Sequence, residues 1–135
     1  MSTHIPAALR RLVAERAKDR CEYCRLPQAF ALHPHEPDHV VPHQHGGTTH
    51  EDNLALACLR CNRHKGPNLG SLDPSTGVLV RFFNPRAQEW EAHFAWHGAT
   101  IEPLTPEARV TVKIFRLNDP LRVAERARLM SRGSW

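Results

Sequence analysis

Two Cys-x-x-Cys pairs, Cys21-Glu-Tyr-Cys24 and Cys58-Leu-Arg-Cys61, constrain this chain more than any other feature of its sequence. Four thiols in two matched knuckles suit one tetrahedral zinc ion. With no open coordination position, such a site is structural and not catalytic. The 33 residues between Cys24 and Cys58 are too many for a compact zinc ribbon and enough for a small subdomain fixed at both ends. In small metal domains the binding free energy becomes folding free energy, on the order of 10 kcal/mol. Disulfides are the competing reading of four cysteines. Against them, the N-terminal stretch has no apolar core long enough for a signal peptide, and no segment approaches the roughly 20 apolar residues of a membrane span. This predicts a cytoplasmic protein with reduced thiols and no membrane partner.

A chain of 135 residues fits a single domain, residues 1–135. Within it we read a core over about residues 19–68 and a C-terminal extension over about 69–135. Formal charge is +4, and 15 of the 18 basic residues are arginine, whose planar fork favours phosphate. A solvated basic surface has the same composition, so charge alone does not decide for nucleic acid.

Thr3 and Pro6 predict a helix to about Lys18 with Leu9, Val13 and Leu12 as its buried stripe. Pro27, Pro34 and Pro37 leave the next stretch extended but unsuited to a central strand. Val40-Val41 reads as a short strand ending at Pro42, followed by a polar loop turning at Gly46-Gly47. Leu54 to Ala57 reads as a second strand, and Leu59 to Lys65 as a helix stopped by Gly66-Pro67. Residues 69–83 read as a hairpin, with a short strand near Thr100-Ile101. Thr105-Pro106-Glu107 starts a helix, although Val110, Val112 and Ile114 also alternate like a strand; the cap decides for helix. Asn118-Asp119-Pro120 starts a last helix to about Met130, with Leu121, Ala124 and Ala127 facing inward. Trp90, Phe94 and Trp96 could stack on bases, but aromatics at this spacing are more often core.

Inside the cysteine-closed loop lie Asp38-His39-Val-Val-Pro42, Gly46-Gly47 and Asn53-Leu54, and Asn62-Arg-His-Lys65 follows directly on Cys61. Hydrolysis of a phosphodiester needs an activated water, charge stabilisation on the phosphate and help for the leaving 3′ oxygen. A histidine near neutral pKa can be the general base, and a hard divalent cation with few protein ligands supplies the rest. Taken singly, each residue has a duller role. Asp38-His39 could be a surface pair, Asn53 could close a turn, and Asn62 could cap the knuckle. Their joint occurrence within the cysteine frame favours chemistry.

Asp38-His39 with Val-Val-Pro42, Gly46-Gly47, Asn53 fourteen residues after His39, and Cys61-Asn62-x-x-Lys65 resemble the HNH endonucleases, the ββα-metal nucleases. Lys65-Gly-Pro-Asn-Leu69, Phe83-Asn-Pro-Arg86, Trp90-x-x-His93-Phe94 and Leu104-Thr-Pro extend the likeness to a bacterial branch of small HNH proteins, over most of residues 5–130. The resemblance implies an α+β fold: a ββα-metal finger with the Cys-x-x-Cys zinc site, an N-terminal helix, and a hairpin-plus-helices extension. It implies His39 as general base and Asp38 and Asn62 as ligands of one catalytic Mg²⁺ or Mn²⁺, an H-N-N variant. Asn53 resembles the residue that ties down the loop bearing His39, and Cys21, Cys24, Cys58 and Cys61 would hold one structural Zn²⁺. The implied activity is metal-dependent hydrolysis of DNA, giving a 5′-phosphate and a 3′-hydroxyl. His45, Arg60, Arg63 and Lys65 are candidate nucleic-acid contacts, while the other loop histidines read as solvated. The rival reading is a non-catalytic zinc-finger DNA-binding or adaptor module. Nothing in the sequence indicates a dimer, which double-strand cutting would need unless two encounters occur. Family strands place a β-branched residue before Asp-His, where this chain has Pro37; the lost ladder donor predicts a shorter or edge strand.

Overall fold

The computed structural model describes residues 4–135, so the expected helix start at Thr3 lies outside the described residues. These residues form two compact units, one of residues 4–69 with Asn84–Ala87, the other of Gly70–Phe83 with Gln88–Trp135.

In the first unit, helix α1 (Ala7–Arg16) follows Pro6, whose carbonyl receives the first helical bond from Arg10. Val13 is fully buried and Leu9 half-buried, whereas Leu12 turns outward. Ile5, Val13, Ala17, Leu54 and Leu56 make the core that α1 shares with a two-stranded hairpin. Lys18 and Asp19 both take positive φ, which reverses the chain into the first knuckle, and Cys21 N–H closes that knuckle on the Leu26 carbonyl.

The hairpin is β1 (Glu36–His39) against β2 (Leu54–Ala57), antiparallel, with Asp38 opposite Ala55 and His39 opposite Leu54. This corrects the strand expected at Val40-Val41, which begins four residues earlier and runs through Pro37. Pro37 faces Leu56, whose backbone N–H donates to the Glu22 carboxylate and whose carbonyl accepts from Glu22 N–H. No ladder bond is therefore asked of the proline, which satisfies the rule that confines it to edges. Val40 N–H still bonds the Asn53 carbonyl just past the ladder. Cys58 then caps helix α2 (Leu59–Lys65), its sulfur accepting from Cys61 N–H, and Gly66 at φ 53° ends it. Strand, loop, strand, helix is the order read from sequence.

The second unit holds hairpin β3 (Gly70–Leu72) and β4 (Leu79–Arg81), helix α3 (Trp90–His93), hairpin β5 (Phe94–His97) and β6 (Thr100–Pro103), and helices α4 (Pro106–Ile114) and α5 (Pro120–Ser131). Its core is aromatic: Phe83 meets Phe94 edge-on at 5.1 Å, and Phe82 meets Phe115 at 5.0 Å. Trp90 and Phe94 are buried in it, the core role expected of them, while Trp96 is partly exposed beside Trp135. The expected Thr105 cap is present, its hydroxyl accepting from Ala108 N–H.

The inward face of α5 differs from expectation. Leu121, Ala124 and Ala127 are exposed, and Arg122, Arg126 and Leu129 are buried instead. The arginines go inside because carbonyls wait for them: Arg122 donates to the Phe115 carbonyl, and Arg126 to those of Ala99 and Leu117. A guanidinium with matched acceptors is buried without the usual penalty of an unpaired donor.

Candidate functional site

The two knuckles deliver four buried sulfurs to one point, with all ligand atoms within 4.8 Å of one another. All four cysteines are free thiols. The Cys24 and Cys58 sulfurs are 3.7 Å apart, close to the roughly 3.8 Å edge of a tetrahedron with zinc–sulfur bonds of about 2.3 Å. Cys24 N–H and Cys61 N–H point at the sulfurs of Cys21 and Cys58. Burial pushes the Cys21 and Cys61 thiols well up, because thiolates cannot form in a dry interior without a cation. The donor set and spacing fit a closed, tetrahedral metal site.

Between the knuckles, Asp38 projects from β1 into the interior, 6% exposed. Tyr23, one of the two residues inside the first knuckle, donates its hydroxyl to Asp38 Oδ2 at 3.1 Å. Lys65 Nζ lies 3.3 Å from Oδ2 and 3.4 Å from Oδ1, and donates to the His39 carbonyl at 2.8 Å. Burial raises the Asp38 carboxyl above the ordinary range, and Lys65 and the Tyr23 hydrogen bond pull it back.

His39, next along β1, is half-buried with Nε2 2.9 Å from the Thr49 hydroxyl. Burial lowers its pKa, and the nearby His43 and Lys65 add to that, so the site favours the neutral ring. The loop that follows is pinned by Asn53. Its carbonyl oxygen accepts from Val41 N–H at 2.9 Å, and its amide donates to the carbonyls of Val41 and Thr48. Gly47 makes the close pass possible, since a Cβ there would sit 1.7 Å from the Val41 carbonyl oxygen.

Asp38, His39, His43 and Asn62 line one cleft of about 480 Å³, with Arg10 and Glu36 at its wall. The Arg10–Glu36 ion pair, at 2.6 Å, is half-exposed. Asp38 and Asn62, 24 residues apart in the chain, therefore open onto the same space beside the His39 imidazole. Asn53 stands behind, holding the loop and not the cleft.

The candidate nucleic-acid contacts divide. Arg60 and Arg63 are exposed on α2. His45 is exposed, with Nε2 2.9 Å from the Pro67 carbonyl, so it ties the loop to the end of α2. Lys65 is a correction. It is 2% exposed, drawn inward by Asp38 and the His39 carbonyl, and presents no charge at the surface. His35 is also buried, its Nε2 on the Leu26 carbonyl at 2.8 Å, and is not the solvated loop residue expected. Sequence reasoning did not single out Tyr23, Thr49 or His43. Each meets the site across the hairpin or loop, and no local spacing records such a meeting.

Residues 21–68 match the family model described as HNH endonuclease. No curated protein and no solved structure matches the chain. The matched segment opens on Cys21 and ends just past α2, enclosing the four cysteines and Asp38, His39, His43 and Asn62 of the cleft. The chain thus carries, over those residues, an HNH domain of the HNH endonuclease family.

Proposed function

We propose that this protein is a metal-dependent endonuclease that hydrolyses DNA phosphodiester bonds. The observation that carries the reading is the shared cleft of Asp38, His39 and Asn62. Cys21, Cys24, Cys58 and Cys61 hold a structural zinc, and Asp38 and Asn62 hold one magnesium or manganese ion. That ion, when bound, supplies charge neutralisation at the phosphate and at the leaving 3′ oxygen. Its two protein ligands are a carboxylate and an amide oxygen, hard donors that leave most of a coordination shell for water and phosphate.

His39 accepts the proton of the attacking water. Its ring lines the cleft beside Asp38 and Asn62, where a water next to the ion would come within its reach, and the Thr49 hydroxyl orients it from 2.9 Å. Asn53 keeps the ring's loop fixed by bonding it at both Val41 and Thr48. Arg60 and Arg63 contact the DNA backbone, which positions the substrate without reading its sequence. One domain of this kind holds one such cleft, and nicking of one strand at a time is the reaction it supports.

The test is plasmid nicking with magnesium, manganese or chelator. His39→Ala is expected to lose about 10²- to 10⁴-fold in rate while keeping its zinc. Cleavage at the wild-type rate by that variant would refute the base assignment. A wild-type protein that binds DNA but fails to cut it with either magnesium or manganese would be the zinc-stapled binding module instead.

A further inference from the structure

We infer that the first cysteine knuckle positions the catalytic-ion ligand: Tyr23 is a positioning residue that, together with Lys65, holds the Asp38 carboxylate in the cleft. The inference rests on the reading of Asp38 as a ligand. An aspartate in mid-strand has free rotation about its side chain unless something stops it. Here two donors do so from two different elements, the knuckle and α2. Both are locked themselves, Tyr23 at 1% and Lys65 at 2% exposure. Lys65 straddles the two oxygens, whereas Tyr23 engages Oδ2 alone and so fixes direction without adding charge. A carboxylate has about four lone-pair sites, so these bonds leave acceptors for a cation. The neighbouring Glu22 does the equivalent for β2, accepting from Leu56 N–H at 2.8 Å. The knuckle's two inner residues thus grip one strand each, and a zinc-bearing turn sets the position of a group in the cleft. Groups that orient a metal-binding carboxylate typically change metal affinity about 10- to 100-fold when removed.

The experiment is calorimetric titration of Mn²⁺ into the zinc-loaded full chain, comparing wild type, Tyr23→Phe and Asp38→Asn. Tyr23→Phe is expected to bind Mn²⁺ about tenfold more weakly. Its nicking rate should fall at low Mn²⁺ and recover at high Mn²⁺, with KM for DNA unchanged; a merely structural defect does not recover with metal. Wild-type affinity in Tyr23→Phe, with binding lost in Asp38→Asn, overturns the positioning role alone. Wild-type affinity in Asp38→Asn overturns the ligand assignment, and the positioning role with it. Should Tyr23→Phe shed its zinc, a probe that keeps the hydroxyl decides. The chain has a single tyrosine, so 3-fluorotyrosine gives one ¹⁹F resonance. Mg²⁺ should shift that resonance in the wild-type sequence and not in Asp38→Asn; a resonance indifferent to Mg²⁺ ends the inference.

Discussion

Lys65 is the residue that most changes how the cleft is understood. An ammonium at 2% exposure is tolerable only because a carboxylate and a carbonyl meet it. Removing one member of such a pair strands the other, at a cost of about 3–5 kcal/mol. Lys65→Met should therefore lower unfolding free energy by that amount in a denaturant titration, and adding Asp38→Asn should restore part of it. Insensitivity of the midpoint to Lys65→Met would mean that the pair carries no stability. From sequence, Lys65 stands one helical turn after Asn62, which is enough to place it near the site. Spacing does not say whether a cation faces water or a buried acid, because that depends on which strand packs beneath the helix. Tyr23 escaped notice for the same reason. Its partner is 15 residues away, and the two meet because Glu22 bonds the knuckle to Leu56 of β2, which pairs with the strand that carries Asp38.

At the scale of elements, legibility followed the local signals. Helix α2 and strand β2 lie where read, because Gly66-Pro67 stops one and an apolar run marks the other. Helix α4 was settled by Thr105, a side chain that bonds its own backbone. Strand β1 starts earlier than read because the prolines argue only against a central strand, and Pro37 occupies a position that makes no ladder bond. The buried arginines of α5 defeat any reading by hydrophobicity, since their acceptors come from distant carbonyls. The β3–β4 hairpin has its own electrostatic fastening. Arg109 donates twice to Asp73, at 2.8 and 2.7 Å, and Ser75 N–H donates to it as well. These bonds hold the Asp73 carboxyl far below the ordinary 3.8. A depressed folded-state pKa adds stability that is fully present above the unfolded value and is lost as pH falls through the folded one. Wild type and Arg109→Ala should thus differ in thermal midpoint at pH 5 to 7, with the gap closing only below about pH 3.8 as unfolded Asp73 takes up its proton. A gap that stays constant down to pH 2 would show that Asp73 is not the titrating partner.

For the molecule as a whole, the proposed zinc on the four cysteines is the fastening on which the candidate cleft would depend. The hairpin core is small, made by α1, its flanking Ile5 and Ala17, and β2. Cys58→Ser should release the zinc and unfold the finger, seen as loss of cooperative melting together with loss of bound metal. Melting unchanged without zinc would remove the structural role of the cluster. The four cysteines were the part of the molecule most open to a reader of sequence, because ligand type and spacing are recorded residue by residue. The cleft was open only through resemblance, since no spacing predicts that Asp38 and Asn62 face one space. Among the described residues, no helix is long and apolar enough to cross a membrane. One detail of the first unit bears on how such proteins are cut apart for study. The buried Glu22 carboxylate is neutralised by Arg86, which lies 18 residues beyond the end of the family match and yet belongs to the same compact unit. What is inherited as a motif is shorter than what folds as a body. A fragment trimmed at the motif's edge keeps Asp38, His39, His43 and Asn62 but leaves behind the counter-ion of an acid sealed inside it.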